Sequence, residues 1–579
     1  MYGSGILDIL FSALLRASYA ISHIFATRRL HASHIRLKRG VAASIIAAHE
    51  SLQPKSFRLS SSAQQEHAQE EQYNAYVSRV ARGAGISSFG QGVSRVLGYA
   101  TQVALARMYG PAALGLYVLA STMILLGNIL AQIGMDNGVV RYVAQYRAER
   151  DGARIRGTIL LALLVSFVLS MVIAGLIFAA SGFLANTVFN KPAVEVLFRV
   201  FSVSLPFLTV MSMALWAIQG FQTVKYPTYV RQITQPLVNL ALIVVFYLLG
   251  SQVLGAAVAY VLSMAIGSVF ALYYLRRVFP PLLDRQTPPR YEPRALFSAS
   301  GPMIVANFTQ YINSWTAVTV LGVFATAETV GVYHAANRTA ALSALVLFAF
   351  TGIFSPMISN LYRKGSLEHL GFLYKDVSRW TFTGSLAVFL LTAALYKDVL
   401  TVFGDGFVRG WPAMLLIAGA HLFNSSVGLT SRVLAMTGHQ KVVMMATLGS
   451  TIAGVALNFA LVPAYGLYGA AIATSVAIVL ANLATLFSVK GILGIWPYTY
   501  QYLKPVAAGA VAASATYLGT LALPLPTGAV TILALGPLFM IAFGVLLATM
   551  GLTASDRQFL STFWNSVRRT RRDTQKAPE

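Results

Sequence analysis

The sequence predicts an all-α polytopic membrane protein with about fourteen transmembrane helices. Hydrophobic residues make up 56% of the 579 residues and charged residues only 11%, whereas about a quarter are charged in an ordinary soluble domain. Apolar segments of roughly 20 residues, long enough to cross a bilayer as a helix, follow one another almost without interruption. The predicted spans are 83–106, 112–135, 157–181, 195–219, 229–249, 253–275, 297–323, 330–356, 378–396, 411–435, 441–462, 467–489, 504–523 and 528–550.

The N-terminal region differs from the rest of the chain. Residues 6–25 form a moderately apolar run that contains Asp8 and Arg16 and is followed by a basic stretch. This pattern favours an amphipathic helix at the membrane surface, with basic residues near anionic lipid. A signal peptide is the alternative, but the run lacks a basic start and a clear cleavage site. Residues 1–78 are therefore predicted to be a cytoplasmic or interfacial extension and linker.

An internal repeat organises the spans. Gly-Pro-Ala-Ala-Leu-Gly-Leu-Tyr at 110–117 enters the second span, and Ala-Thr-Ala-Glu-Thr-Val-Gly-Val-Tyr at 325–333 enters the eighth. Other matching segments are also six spans apart. Because six is even, both copies have the same orientation in the membrane. Parallel repeats build two bundles with the substrate site between them. The predicted parts are a first six-helix bundle (79–280), a cytoplasmic loop (281–295), a second six-helix bundle (296–490), helices 13 and 14 (491–552) and a basic cytoplasmic tail (553–579).

The basic residues predict the orientation. Lys and Arg concentrate in the loops after even-numbered spans, as expected of cytoplasmic loops. We therefore expect a multi-pass protein of the inner, cytoplasmic membrane with both termini in the cytoplasm. The net charge of +24 is interpreted as this topology signal, and no nucleic-acid partner is expected. The residues in these loops are Arg141, Arg147, Arg150, Arg154, Arg156, Lys225, Arg231, Arg276, Arg277, Arg285, Arg290, Arg294, Arg363, Lys364, Lys375, Arg379, Lys441 and Lys490.

The composition argues against an enzyme. There is no cysteine and the nine histidines are scattered, so no metal site or cofactor is expected. No Walker A lysine loop occurs, and every Asp and Glu is assigned to a tail or a loop, so no catalytic residue and no buried carboxylate is predicted. Transport is the remaining interpretation.

Two arginines fall inside apolar segments. Arg95 lies near the middle of the first span, and Arg338 lies about a turn and a half into the eighth. A charge at bilayer depth costs roughly 2.5–3.5 kcal/mol even on the mildest scales, so it indicates a function. Guanidinium groups fit phosphate oxygens, and the two are predicted to face one cavity. The alternative is that each arginine bonds backbone carbonyls or extends to the membrane interface.

The seventh span carries a polar stripe. Asn307, Gln310, Tyr311 and Ser314 follow the spacing i, i+3, i+4, i+7 and share one helix face. These side chains are predicted to line a hydrated cavity and bind sugar hydroxyls. Hydrogen bonding between helices explains the same stripe equally well.

The sequence resembles the polysaccharide flippases (Wzx type) of the multidrug/oligosaccharidyl-lipid/polysaccharide (MOP) exporter superfamily over about residues 79–550. The resemblance rests on the motif at 105–117, its echo at 331–333, the Gly-His-Gln turn at 438–440 and the fourteen spans. The segments around Arg95 and Arg338 also look like those of the related lipid II flippase, whose matching arginines line the central cavity. The resemblance therefore implies that both arginines meet a pyrophosphate. That relative's further cavity arginine near the end of its second span has no evident match.

The resemblance implies a flippase, by alternating access, for an undecaprenyl-pyrophosphate-linked oligosaccharide used in exopolysaccharide, capsule or O-antigen (lipopolysaccharide) synthesis. Membrane lipids, a polysaccharide polymerase and a chain-length regulator are the other candidate partners. The alternatives are a lipid II flippase, a cation-coupled multidrug exporter of the same fold and a membrane scaffold for a synthase. The absence of intramembrane acids argues against the exporter, and the embedded arginines argue against the scaffold.

Overall fold

The computed structural model describes residues 61–284, 288–523, 526–551, 553–558 and 561. The run at 6–25 predicted to lie at the membrane surface falls outside these residues. Residues Val93–Gly551 form one compact unit, and the geometry below is that of this unit alone. Its described residues form α-helices with short π- and 3-10-helical segments, so the prediction of an all-helical polytopic protein is confirmed.

The first half of the unit, residues 93–278, contains six long helices. They are α1 (Ser61–Gln132), which begins before the unit, α2 (Met135–Ala148), α3 (Gly152–Ala179), α4 (Val194–Gly220), α5 (Lys225–Leu248) and α6 (Val253–Val278).

The second half, residues 293–551, contains the remaining helices. They are α7 (Pro293–Phe324), α8 (Ala327–Ala340), α9 (Leu345–Arg363), α10 (Leu367–Ala394), α11 (Tyr396–Thr401), α12 (Trp411–Val427), α13 (Thr430–Met436), α14 (Gln440–Leu493), α15 (Leu503–Ala522) and α16 (Ala529–Thr549).

By length and composition, nine helices of the described part qualify as membrane spans, or ten if one bent pair is a single span. This count is smaller than the fourteen predicted. Two of the nine, Gly90–Gln132 and Gln440–Leu493, have 43 and 54 residues, which exceeds the roughly 20 residues that one crossing needs. Helix α7, which carries the polar stripe, and helix α10 are not among these nine.

Glycines break the long helices. Gly110 has φ of 80° and is followed by Pro111, and Gly466 has φ of 50°. These left-handed conformations are open to glycine at little steric cost. Gly428, with φ of 76°, separates α12 from α13, so the predicted uninterrupted span at 411–435 is wrong. An added Cβ there would overlap Ser378, which shows how closely the break packs against α10.

The breaks and turns mark two ends of the molecule. We call the end that contains Gly110, Lys191, Gly404 and Gly528 the Gly110 end. The end that contains Arg147 and residues 221–226, 279–284 and 288–292 is the basic end. One apolar core joins helices α1–α8, α12 and α14, whereas α9, α10 and α13 form a separate core with the last residues of α14. The second half is therefore divided, and only part of it shares the core of the first half.

Candidate functional site

The two halves touch backbone to backbone at the Gly110 end. A Cβ atom on Gly115 would overlap the carbonyl of Ala327, and one on Gly331 would overlap the carbonyl of Pro111. Gly115 and Gly331 hold equivalent positions in the two copies of the repeat. Helices approach this closely only where side chains are absent, so the repeat supplies the contact that joins the halves here.

Basic side chains add to this junction. Arg107 of the first half donates from Nε to the carbonyl of Val402 at 2.8 Å and from Nη2 to the carbonyl of Thr401. Lys191 donates to the carbonyl of Gly322 at the end of α7. Cations stabilise the C-terminal ends of helices, where carbonyls lack partners. The Gly110 end of the seam between the halves is therefore closed.

Arg95 lies in this seam, between the Gly110 and basic ends. Its side chain is exposed, and its guanidinium carbon lies 4.5 Å from the ring centre of Phe348 on α9. That contact joins the first half to the second. Among the described residues, no carboxylate forms an ion pair with Arg95.

Arg338 lies on the opposite wall of the seam. It is exposed, although its helical neighbours Thr339 and His334 are 1% and 3% exposed. Its guanidinium carbon lies 6.0 Å from the ring centre of Trp315. The hydroxyls of Tyr99 and Thr339 are 3.3 Å apart, and Tyr99 is one helical turn beyond Arg95. The structure thus brings the helices of both arginines into contact, and both guanidinium groups remain exposed.

His334 adds a polar atom beside Arg338. Its ring stacks on Trp315 with 6.3 Å between ring centres and 13° between ring planes. Its buried Nε2 has no hydrogen-bond partner among the described residues. Trp315 therefore contacts both a guanidinium and an imidazole, and it positions them on one side of the seam.

The polar stripe on α7 divides into two pairs. Asn307 donates to Oδ2 of Asp136 at 2.9 Å, and the Tyr311 hydroxyl donates to the carbonyl of Thr122 at 3.1 Å. These two side chains attach α7 to the first half. Gln310 and Ser314 are exposed, and their mutual contact is long at 3.5 Å, so their polar atoms remain accessible.

Asp136 contradicts the expectation that no carboxylate is buried. It lies at the start of α2 and is 7% exposed, and Asp398 at the Gly110 end is 8% exposed. Asp398 accepts the backbone N–H of Gly528 at 2.9 Å. The sequence places both next to turns, which is why they were assigned to loops. The turns themselves are packed inside the protein.

Arg231 is a further arginine, which the sequence analysis interpreted only as part of the topology signal. It lies in a π-helical segment, Thr228–Thr234, where Pro236 cannot donate the usual backbone hydrogen bond to residue 232. The guanidinium carbon lies 5.7 Å from the ring centre of Trp216, and the side chain is exposed. π-Helical segments are frequent at functional sites, and the flanking prolines are the signal that marks this one.

The arrangement suits a large anion rather than a metal ion. The side chains of Arg95, Arg231 and Arg338 are exposed. Each presents several donors that match phosphate oxygens. In the part of the chain that the structure describes, no three His, Asp or Glu residues are grouped as metal ligands would be.

Comparison with known proteins points to flippases. The model of the family described as "Polysaccharide biosynthesis protein" matches residues 80–362. Agl15 of Haloferax volcanii, described as a probable low-salt glycan biosynthesis flippase, is 25% identical over 183 residues, 31% of this chain and 39% of that protein. Stage V sporulation protein B of Bacillus subtilis (strain 168) is 25% identical over 187 residues, 32% of this chain and 36% of that protein. The matched part thus spans less than two fifths of either relative.

Solved structures share the fold. The lipid II flippase MurJ, in an inward closed conformation, superimposes with a TM-score of 0.62 over 80% of this chain and 98% of that chain, at 15% identity. An inward-facing multidrug resistance MATE family transporter of the MOP superfamily superimposes with a TM-score of 0.58 over 69% of this chain and 94% of that chain, at 17% identity. The resemblance predicted from the sequence is confirmed: the chain is similar to flippases, and it shares the fold of MurJ and of the MATE family transporter.

Proposed function

We propose, on the premise of a flippase-like transporter with the MOP superfamily fold, that this protein moves a polyprenyl-pyrophosphate-linked oligosaccharide across the cytoplasmic membrane. The oligosaccharide would be a repeat unit for exopolysaccharide, capsule or O-antigen synthesis. The observation that carries the proposal is the pair of exposed arginines, Arg95 and Arg338, on facing helices of the two halves. Neither has a carboxylate partner among the described residues, so a pyrophosphate supplies the missing charge.

The polar stripe extends this site. Gln310 and Ser314 are exposed on α7, and they offer hydrogen bonds to sugar hydroxyls. Asn307 and Tyr311 bond the first half, so in this arrangement they position α7 and meet substrate only when the halves separate. Alternating access between the halves is the proposed mechanism.

The proposed topology has fourteen crossings. The two long helices supply two crossings each, and the bent pair supplies one. Helices α7 and α10, which are not among those that qualify by length and composition, supply one crossing each. The proposed division is into six-helix bundles at 79–280 and 296–490 with two further helices at 491–552. The basic end is proposed to be cytoplasmic, together with both termini. A polymerase and a chain-length regulator are the proposed protein partners.

Substitution of the arginines tests the proposal. We expect Arg95→Ala and Arg338→Ala each to lower polymer export by about tenfold or more, because a charge-assisted hydrogen bond contributes about 1.5–3 kcal/mol. Arg→Lys should restore export only in part, since lysine lacks the planar fork of donors. Export is measured as surface polymer at matched protein levels.

Arg409→Ala is the matched control. Arg409 lies at the Gly110 end and pairs with Glu328 at 2.7 Å, and both side chains are about half exposed (51% and 45%). Export should be unchanged in this variant. Normal export in both seam variants at normal protein level would refute the proposal.

A lipid II flippase is the second candidate, favoured by the fold shared with MurJ. Rescue of a strain depleted of its own lipid II flippase would identify that activity. The shared fold with the MATE family transporter similarly calls for a drug-efflux assay, in which a flippase leaves drug resistance unchanged.

A further inference from the structure

A cavity of about 560 Å³ opens at the basic end. Three parts of the chain enclose it: the turn between α2 and α3, the turn between α4 and α5, and the end of α6. Its volume falls within the roughly 300–1,000 Å³ of sites that bind small molecules. None of the lining residues belongs to the second half, so the cavity is distinct from the seam between the halves. The lining includes Arg147, Arg150, Gly152, Phe221, Tyr226 and Phe279.

The two arginines of this cavity have donors to spare. Arg147 donates from Nη1 to the carbonyl of Phe221, and its guanidinium carbon lies 5.9 Å from the ring centre of that phenylalanine. A guanidinium carries several donors, so this bond fixes Arg147 and leaves the other donors available. The Arg150 side chain is exposed, and among the described residues no carboxylate forms an ion pair with it.

The carboxylates around this end are engaged elsewhere. Glu149, Asp151 and Glu292 lie 3.4, 3.3 and 3.1 Å from nitrogens of the Arg154 guanidinium. Asp151 also accepts the backbone N–H of Arg154 at 2.9 Å. Within the described part of the chain, none of these acids pairs with either cavity arginine. The cavity therefore carries positive charge that calls for an anionic ligand.

The backbone beside the cavity also fits an anion. Arg150 follows the end of α2 with φ of 57°, a left-handed conformation that glycine adopts at lower cost. Such strain persists where the side chain has a role. Gly152 then begins α3, and a Cβ on it would meet nothing within 4 Å. The space in front of the first N–H groups of α3 is therefore open, and such groups attract anions.

Stacked aromatic rings form the apolar wall of the cavity. Phe221 stacks on Phe279 with 5.5 Å between ring centres and 29° between ring planes. Tyr226 stacks on Tyr274 with 4.6 Å and 26°. The stacking fixes an apolar surface next to the two guanidinium groups. The cavity thus matches a ligand in which a phosphate is joined to an apolar or planar group.

We propose that this cavity is a second anion site, outside the seam, that binds a phosphate ester. Arg147 and Arg150 donate to the phosphate oxygens, which the fork of guanidinium donors fits. Phe221 and Tyr226 contact the apolar part of the ligand. Two sources carry this chemistry, the headgroup of an anionic phospholipid and a soluble phosphate ester. The site goes beyond the proposed transport, since it lies apart from Arg95 and Arg338.

Helix α5 brings the lipid close to this cavity. It begins at Lys225, next to Tyr226 of the lining. Of its residues 235–248, all of which the structure describes, only Asn239 and Ile243 are buried. Most of α5 therefore faces the bilayer, and a phospholipid beside it places its headgroup at the end where the cavity opens. The lipid arm of the experiment below addresses this source.

Ligand binding to the purified full-length protein tests the site in two arms. Phosphatidylglycerol, titrated into micelles that contain phosphatidylcholine, supplies a lipid headgroup. Glycerol 1-phosphate in lipid-free detergent supplies a soluble ester. Binding is measured as the rise in unfolding temperature with ligand concentration, and we expect it to saturate in at least one arm. Saturation in the lipid arm alone identifies a phospholipid site, and saturation with glycerol 1-phosphate identifies a site for soluble esters.

Two substitutions remove the phosphate donors. Arg147→Gln and Arg150→Gly should each weaken binding about tenfold, because each removes a charged hydrogen-bond donor. Arg150→Gly also separates binding from stability. Glycine relieves the left-handed conformation, so this variant without ligand should unfold at the same temperature or a higher one. A lower unfolding temperature with unchanged affinity would show a structural role for Arg150 and overturn its place in the site.

Arg276→Gln combined with Arg277→Gln is the matched control. Both arginines are exposed in the last turn of α6 and neither lines the cavity, so this variant loses two charges nearby and should bind normally. An equal loss of affinity in this control and in the cavity variants would indicate diffuse attraction to a basic surface and would overturn the proposal. No saturable binding in either arm would also overturn it.

The seam is tested separately from the cavity. Arg95→Ala combined with Arg338→Ala removes the seam arginines and should leave the affinity for both probes unchanged. Loss of binding in this variant would assign the probes to the seam and refute a second site. Polymer export by the seam variants is measured in cells, so failure of the flippase proposal is distinguishable from failure of this one.

Discussion

The Gly110 end and the basic end join the same two halves by different means. At the Gly110 end, glycines of the two repeat copies bring backbones into contact, and Arg107 and Lys191 bond carbonyl oxygens. At the basic end, the contacts depend on carboxylates: Asp136 bonds Asn307, and Glu292, just before α7, bonds the first half. The Gly110 end is joined by close backbone packing and by cations that bond carbonyls, whereas the basic end depends on carboxylates.

This difference assigns the two junctions different roles. Backbone contact between glycines is insensitive to an anion bound elsewhere, because it contains no ionisable carboxylate. A carboxylate junction responds to any charge that enters the seam. We therefore expect the substrate to act first on the basic end, and we expect the Gly110 end to open only through movement of whole helices.

The largest expected effect is at the glycine contact. Gly115→Ala and Gly331→Ala each place a methyl group on a backbone carbonyl of the opposite half. Overpacking costs about 1–3 kcal/mol and sometimes more, so the closed Gly110 end should become about fivefold to 150-fold less favourable. Polymer export in cells should fall accordingly.

Gly175→Ala is the control for this experiment, because an added Cβ on Gly175 meets nothing within 4 Å. It should export normally. If Gly115→Ala and Gly331→Ala also export normally, the seam does not close at these glycines during transport, and the contrast between the two ends fails.

A smaller effect is expected at the Asp136 junction. Asn307→Ala leaves Asp136 without a hydrogen-bond donor among the described residues, and an unsatisfied buried group costs about 1–3 kcal/mol. Thermal unfolding in detergent should shift to lower temperature. A cysteine pair introduced by G138C and S300C, where α2 contacts α7, should cross-link more slowly. Ser298→Ala, an exposed position on the same helix, should change neither measurement. An unchanged melting temperature in Asn307→Ala would show that the hydrogen bond does not support the junction.

The helices could be predicted from the sequence because each needs only a run of apolar residues. Each predicted span lies mostly on helical residues, and the turn at Gly110–Pro111 is present. The spans at 112–135 and 411–435 are interrupted, at Gly134 and at Gly428. The break at Gly428 could not be predicted, because it depends on close packing against Ser378, far away in the chain. The resemblance to flippases rested on local motifs and could likewise be predicted from the sequence.

The candidate site could be predicted only in part from the sequence. Arg95 and Arg338 stand out because each interrupts an apolar run. Arg231 and Asp136 lie beside predicted turns, where a charge is ordinary, so the sequence does not display the burial of Asp136 or the contact of Arg231 with Trp216. The polar stripe on α7 has helical spacing, but the spacing cannot tell Asn307 and Tyr311, which bond the first half, from the exposed Gln310 and Ser314.

The smallest expected effect is at Glu292, which is only partly buried. The Tyr146 hydroxyl donates to Oε2 of Glu292 at 2.6 Å, and Arg154 lies 3.1 Å from Oε1. Burial, together with the Glu292 carboxylate, raises the pKa of Tyr146 from 10 to about 12. Because the folded protein holds this proton more tightly than the unfolded chain, the hydrogen bond contributes fully below pH 10 and is lost as the pH rises toward 12.

Tyr146→Phe should therefore lower stability by about 0.5–1.5 kcal/mol at neutral pH. The difference from the unsubstituted protein should shrink between pH 10 and 12, as followed by thermal unfolding at each pH. Tyr500→Phe, at an exposed tyrosine, is the control and should show no difference at any pH. A Tyr146→Phe difference that persists unchanged to pH 12 would mean that the hydroxyl does not stabilise the basic end through Glu292. The charge-dependent character of that end would then rest on Asp136 and on the ion pair of Arg154 with Glu292.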